Sequence, residues 1–357
     1  MKISRREFVM ASGAFAASLA VSPKIALAAA DLPKLKLGVG LKAMSPIVIN
    51  LVIGEVLGYN KAEGFSVVAQ VLGSNANVQV AVDRGEVDFG VGVPSFGLPV
   101  LAQGEWKKSI NFYEYTYPYK WDIAVLPKST INSYKDLKGK RIGVSGFGAT
   151  DYPVTKNVLQ SLGFDPDKDF KWVAVGGGVP AGVALERGQI DALAYYDVGF
   201  GLIEAAGLPF RLVPRPPKLP LIGGQFLETQ VDRLRKNKAQ VIGLGRAVCK
   251  SSNFILANPK AGALAFLRMY PEAAPRGSSQ EKAVDSIYHA IDRRIKLYSP
   301  PYPGAKMGSI NVKELQTEAA MNHWNISDYG PFYTNDLIDE INNFDLEKIR
   351  RQAKEYS

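Results

Sequence analysis

Cysteine is almost missing: among 357 residues Cys249 is the only one. No intrachain disulfide can form, and the fold must stand on packing alone. Cys249 lies in the helical-looking apolar stretch "GLGRAVCKSSNFIL", where a thiol reads as a small buried hydrophobe rather than a nucleophile. Histidine is scarce too, with only His289 and His323, far apart in sequence. That scarcity leaves a transition-metal site or a Ser-His-Asp triad without donors, so neither a metal, a cofactor nor a catalytic residue is expected. Lys and Arg (43) outnumber Asp and Glu (34) for a net charge of +9, yet no basic stripe forms. Scattered cations argue against a nucleic-acid partner and fit attraction to an anionic small molecule or an acidic membrane surface.

Long hydrophobic runs are also lacking. The apolar segment "VMASGAFAASLAV" near the start falls short of the roughly 20 residues that span a bilayer. It follows "SRREF", with paired Arg5 and Arg6, and precedes the small-residue stretch "ALAAAD". This order is that of an export signal over residues 1–30, cut between Ala28 and Asp31, and the arginine pair resembles the twin-arginine class. An ordinary signal that happens to carry two arginines, or an uncleaved anchor, are the alternatives. Removing four cations and one acid takes the net charge from +9 to +6, so the remainder stays basic.

What is present is an α/β rhythm. From Leu35 short β-type runs alternate with helical stretches, beginning "LKLGVG", then "PIVINLVIGEVLGYNKAEG", then "FSVVAQVL". An internal echo stands out: "AVDRGEVDFG" (residues 81–90) and "ALERGQIDAL" (residues 184–193) share Ala, Arg, Gly and Asp in register. Each reads as a helix end, a capping Gly and a fresh strand, which suggests two lobes of similar construction. From about Thr229 the pattern is nearly all helical.

"YKDLKGKRIGVSG" (134–146), "ALERGQIDALAYYD" (184–197), "AVDRGEVDFGVGVPS" (81–95) and "ANPKAGALAFL" (257–267) together resemble the periplasmic substrate-binding proteins of ABC importers. The group is the one associated with nitrate, sulfonate, taurine and thiamine-precursor uptake. The resemblance implies a two-lobe periplasmic binding protein fold of type II, an α/β architecture. Residues 31–122 and 226–357 would form lobe I and residues 123–225 lobe II. Two crossing strands would join them, with the helical C-terminal region on the first lobe. It also implies a monomeric, non-enzymatic receptor in the periplasm that hands a small organic ligand to a membrane permease.

Ligands of open α/β sheets bind at the carboxyl ends of strands, which here are the segments "GLKAMSP", "GVPS", "SGFGATDY", "GGGVPAG" and "YYD". From them come the candidate contacts Met44, Ser45, Pro94, Ser95, Ser145, Gly146, Phe147, Gly148, Ala149, Thr150, Val179, Tyr196 and Asp197. "SGFGATDY" is the most telling, since its glycines let backbone N–H groups approach a ligand and a helix N-terminus follows. Ordinary capping explains the same residues and can coexist with binding. "GGG" lacks the Lys and Ser/Thr of a nucleotide loop. The run "NFYEYTYPYKW" places Tyr113, Tyr115, Tyr117, Tyr119 and Trp121 on alternate positions. Tyr113 and Tyr115 are expected to pack beneath helices. For Tyr117, Tyr119 and Trp121 both a ligand-facing and a packing role stand open.

The leading expectation is a receptor for an aromatic carboxylate or sulfonate. Its rivals are an exported enzyme related to thiamine-pyrimidine synthases and a receptor for a pyrimidine. A third is a quaternary-ammonium cage built with Asp122, Asp151 or Asp197.

Overall fold

A computed structural model describes residues 32–217 and 219–357. The export signal expected over residues 1–30 lies outside the described residues. Among the described residues ten strands form two five-stranded sheets. The first holds β1 (Lys34–Val39), β2 (Ser66–Val71), β3 (Phe89–Gly92), β4 (Ser109–Thr116) and β10 (Gln225–Gln230), in the order β2-β1-β3-β10-β4. The second holds β5 (Trp121–Val125), β6 (Arg141–Val144), β7 (Lys171–Ala174), β8 (Ala192–Tyr196) and β9 (Arg211–Leu212), in the order β7-β6-β8-β5-β9.

The two orders are the same pattern written twice. In each sheet four strands point the same way, and the one antiparallel member is the strand by which the chain arrives from the other lobe: β5 on the way out, β10 on the way back. The sequence echo sits at equivalent places, because Gly85 (φ 70°) ends helix Asn75–Arg84 before β3 and Gly188 (φ 64°) follows helix Val179–Glu186 before β8. Glycine alone adopts this left-handed cap without a Cβ penalty.

The outward crossing occupies residues 117–120 and the return runs through residues 213–224. Pro118 has no N–H for a sheet ladder, which ends β4 at Thr116 and breaks the aromatic alternation there. Trp121 already opens β5 of the second sheet, so the outward crossing is complete before it. The long helix expected over residues 46–64 is likewise broken, into Pro46–Val48, Ile49–Val52 and Tyr59–Ala62, with Gly58 at φ 76°.

Helices Lys238–Ala257 and Pro259–Met269 bury their apolar faces on the first sheet, together with Tyr113, Tyr115 and Cys249. Two later helices reach both lobes. Gln280–Ile295 packs on lobe II helix Asp197–Ala205 as well as on Pro259–Met269, and Val312–Met321 lies against both Pro94–Ala102 and Asp151–Ser161. The C-terminal region therefore braces the second lobe in addition to covering the first.

Candidate functional site

The carboxyl ends of strands from both sheets meet around a cavity of about 960 Å³. From lobe I come the loop after β1 (Gly40 to Ile47) and the turn after β2 (Gly73, Ser74, Asn75). Lobe II supplies the loop after β6, the Gly176–Gly178 turn after β7, and Tyr196 at the end of β8. Trp121 and Gln225, the first residues of the two strands that follow the crossings, also line it.

Both lobes touch across the rim. Thr150 Oγ1 donates to Asn75 Oδ1 at 3.1 Å, and a Cβ on Gly148 would come within 3.1 Å of the Ser74 side chain. Glycine at 148 is what lets the two loops approach so closely.

Three helices begin at this cavity: Asn75–Arg84, Asp151–Ser161 and Val179–Glu186. Their first-turn N–H groups and aligned dipoles give the wall positive potential without a free cation. Lys42 adds an ammonium at the exposed side. Leu41, Met44, Ile47, Val179, Leu202 and Trp121 supply apolar wall. Trp121 and Tyr196 meet edge to face, with centroids 6.4 Å apart.

One acid faces the cavity. Asp151 Oδ2 accepts from Ser145 N at 2.7 Å and Ser145 Oγ at 2.6 Å, while Oδ1 has no partner among the described residues. Burial pushes its carboxyl up to about 6, and those hydrogen bonds pull it back from going further. The other two candidate acids are already neutralised: Asp122 by Arg215 (2.6 Å) and Asp197 by Arg294. Among the described residues no cluster of His, Cys, Asp and Glu is placed to hold a metal ion.

The cavity brings together Met44, Ser45, Trp121, Ser145, Gly146, Gly148, Ala149, Thr150, Val179 and Tyr196. Six expected contacts lie elsewhere. Tyr117 is fully buried, its hydroxyl accepting from Gly308 N at 2.8 Å and donating to Ser309 O at 3.3 Å. Tyr119 lies under the Arg215 guanidinium, 4.4 Å from ring centroid to carbon. Asp197 is turned away to Arg294, and Pro94 is buried at the start of its helix. Ser95 and Phe147 line a separate hollow of about 620 Å³ with Tyr152 and Trp324. Conversely, sequence reasoning passed over Gly73, Ser74 and Asn75. The signal was there, since Ser74 caps a helix by accepting from Asn77 N, as a "GSNAN" turn would suggest.

A family model described as NMT1/THI5 like matches residues 45–262, well over half of the chain. The chain belongs to that family. No curated protein sequence matches it. Solved structures show the shared fold. One, from Bordetella bronchiseptica RB50, is 22% identical with a TM-score of 0.68, over 87% of this chain and 98% of that one. A second is the alkanesulfonate-binding protein SsuA from Xanthomonas axonopodis pv. citri bound to MOPS: 18% identity, TM-score 0.60, 83% and 93% coverage. A third, the desulfurization enzyme DSZB, is 13% identical with a TM-score of 0.55, over 87% and 99%. The NMT1/THI5-like chain thus has the two-lobe periplasmic binding protein fold, which serves both as a receptor and as an enzyme scaffold.

Proposed function

We propose that this protein is a solute receptor that captures a small organic anion, an aromatic carboxylate or sulfonate, between its lobes. It would then deliver the anion to the membrane permease of an ABC importer. The observation that carries this reading is the convergence of three helix N-termini, from both lobes, on one largely apolar cavity. Such a wall neutralises a carboxylate or sulfonate head through backbone N–H groups while Trp121 and Tyr196 hold a flat body. The sulfonate-binding protein of the same fold is in keeping with that chemistry. Closure around a ligand contacted by both lobes is a hinge motion, and export over residues 1–30 would place the receptor in the periplasm.

The pairing of Asp122 with Arg215 and of Asp197 with Arg294 removes two of the three acids that a quaternary-ammonium cage would need. The test is a thermal-shift screen of aromatic carboxylates, sulfonates, pyrimidines and quaternary amines, with native mass spectrometry to count bound ligand. A concentration-dependent rise in melting temperature with one acid class, without conversion, supports the receptor. That rise should vanish in Thr150→Ala and Tyr196→Ala. Turnover of the stabilising compound would replace the receptor reading with an enzyme.

A further inference from the structure

Three carboxylates lie against the two crossings, away from the ligand cavity. Glu114, on β4, is 1% exposed and neither of its carboxyl oxygens has a partner among the described residues. On helix Val312–Met321, Glu314 faces it and Glu318 lies one turn further on beside Glu314, 7% and 1% exposed. The backbone of the return crossing runs directly beneath: a Cβ on Gly224 would collide with Glu114 Oε1 and come within 3.4 Å of Glu314 Oε2. Gly223 N donates to Glu318 Oε2 at 3.3 Å.

Glu318 is also where the lobes join. Its Oε1 accepts from Ser95 Oγ of lobe I and from Asn157 Nδ2 of lobe II, the latter at 3.4 Å. The remaining charged and titratable groups facing the cluster are few. Lys120, in the outward crossing, donates to Gln225 Oε1 at 3.1 Å, and Tyr302 donates to Glu314 Oε1. Tyr117 lies near Glu114, while the Arg294–Asp197 pair acts on Lys120 from the far side. One amine, itself held well below its usual range by burial, thus faces Glu114 and Glu314.

We propose that Glu114, Glu314 and Glu318 form a proton-operated hinge: closing the lobes takes up protons at the crossings, so acidity favours the closed receptor and ionisation favours the open one. The physical reason is the enclosure. Separating the lobes withdraws Asn157 and admits water to the crossings, and water solvates carboxylates that the closed form can hold only as neutral acids. Burial raises the carboxyl of Glu114 well above its usual range, and burial lifts Glu314 and Glu318 to about 7. This regulation rests on the receptor reading of the cavity, but its test uses no ligand.

The experiment attaches spin labels to Val80→Cys, on an exposed face of lobe I, and Leu162→Cys, on an exposed face of lobe II. Cys249, fully buried, stays unlabelled. Interlabel distances are recorded by electron spin resonance at about pH 5.5 and about pH 8.5, on either side of neutral titration. The expected result is a distribution that lengthens at the higher pH, and one that stays short at both in Glu114→Gln/Glu318→Gln, where amides mimic protonated acids. A distribution that ignores pH in the unsubstituted hinge overturns the proposal, as does an equal lengthening in the substituted one. If the double variant fails a circular-dichroism check of folding, Glu318→Gln alone must shrink the lengthening, and an unchanged response counts against the hinge. A hinge that ignores pH leaves the receptor reading standing. Absence of any stabilising solute in the screen would instead sink that reading and leave the distance measurement intact.

Discussion

Arg294 and Asp197 form an ion pair closed off from solvent, with Nε to Oδ2 at 2.6 Å and a second bond from Nη2 to Oδ1. Arg294 is 0% exposed and its third donor points to Ile47 O in the cavity wall at 3.4 Å. The pair fastens helix Gln280–Ile295 to the first turn of lobe II helix Asp197–Ala205, where a carboxylate also suits the helix dipole. Arg294→Met should therefore cost about 3–5 kcal/mol, because it strands a buried charge. Adding Asp197→Asn to that variant should recover a good part of the loss. Urea denaturation of the two single variants and the double one measures the coupling, and simple additivity would show that the pair is not a unit.

Tyr117 and Tyr196 should separate packing from binding. Tyr117→Phe leaves Gly308 N–H buried without its acceptor, which costs about 1–3 kcal/mol, and leaves ligand affinity at its original value. Tyr196→Ala should weaken binding of any aromatic acid that stabilises the protein. Isothermal titration with such a compound, beside thermal melts of both variants, distinguishes them. Loss of affinity in Tyr117→Phe at full stability would move the site toward the outward crossing.

Much of the architecture was legible because local chemistry dictates it. A Gly after a helix end must take positive φ, so "DRGEVD" and "ERGQID" announced the two matching helix-to-strand turns at Gly85 and Gly188. Aromatic alternation at residues 113–121 misled, since five rings in period two look alike whether a strand continues or breaks at Pro118. Nothing local marks Gln225 as cavity wall or pairs Asp197 with a residue 97 positions away. Those relationships belong to the crossing geometry and to the C-terminal helices, whose docking on both lobes no periodicity encodes.

The seam between those helices has little tolerance. Gly201, on lobe II, faces the backbone of helix Gln280–Ile295 so closely that a Cβ would lie 2.6 Å from Ala290 O and 2.7 Å from its Cα. Backbone cannot yield as a side-chain tip can. Gly201→Ala should destabilise by about 1–3 kcal/mol and loosen the brace. Denaturation midpoints measure the cost, and a neutral substitution would mean that the two helices do not touch in solution.

Glu228, on β10, offers a stability titration independent of the crossings. It is 1% exposed, Gln79 donates to its Oε1, and its Oε2 has no partner among the described residues. Burial, with Asp83 nearby, raises its carboxyl to about 8 from an ordinary 4.5, and the hydrogen bond from Gln79 opposes the rise. A raised acid holds its proton more tightly in the folded chain than in the unfolded one. Its contribution is therefore complete below about 4.5 and is lost as pH climbs toward 8. Melting temperature should fall across that window. Glu228→Gln cannot ionise, so the fall should be shallower in the variant, although the glutamates at the crossings add their own slope. Parallel melting curves across the window would mean that Glu228 remains ionised in the folded protein, with a counter-charge or solvent reaching its free oxygen.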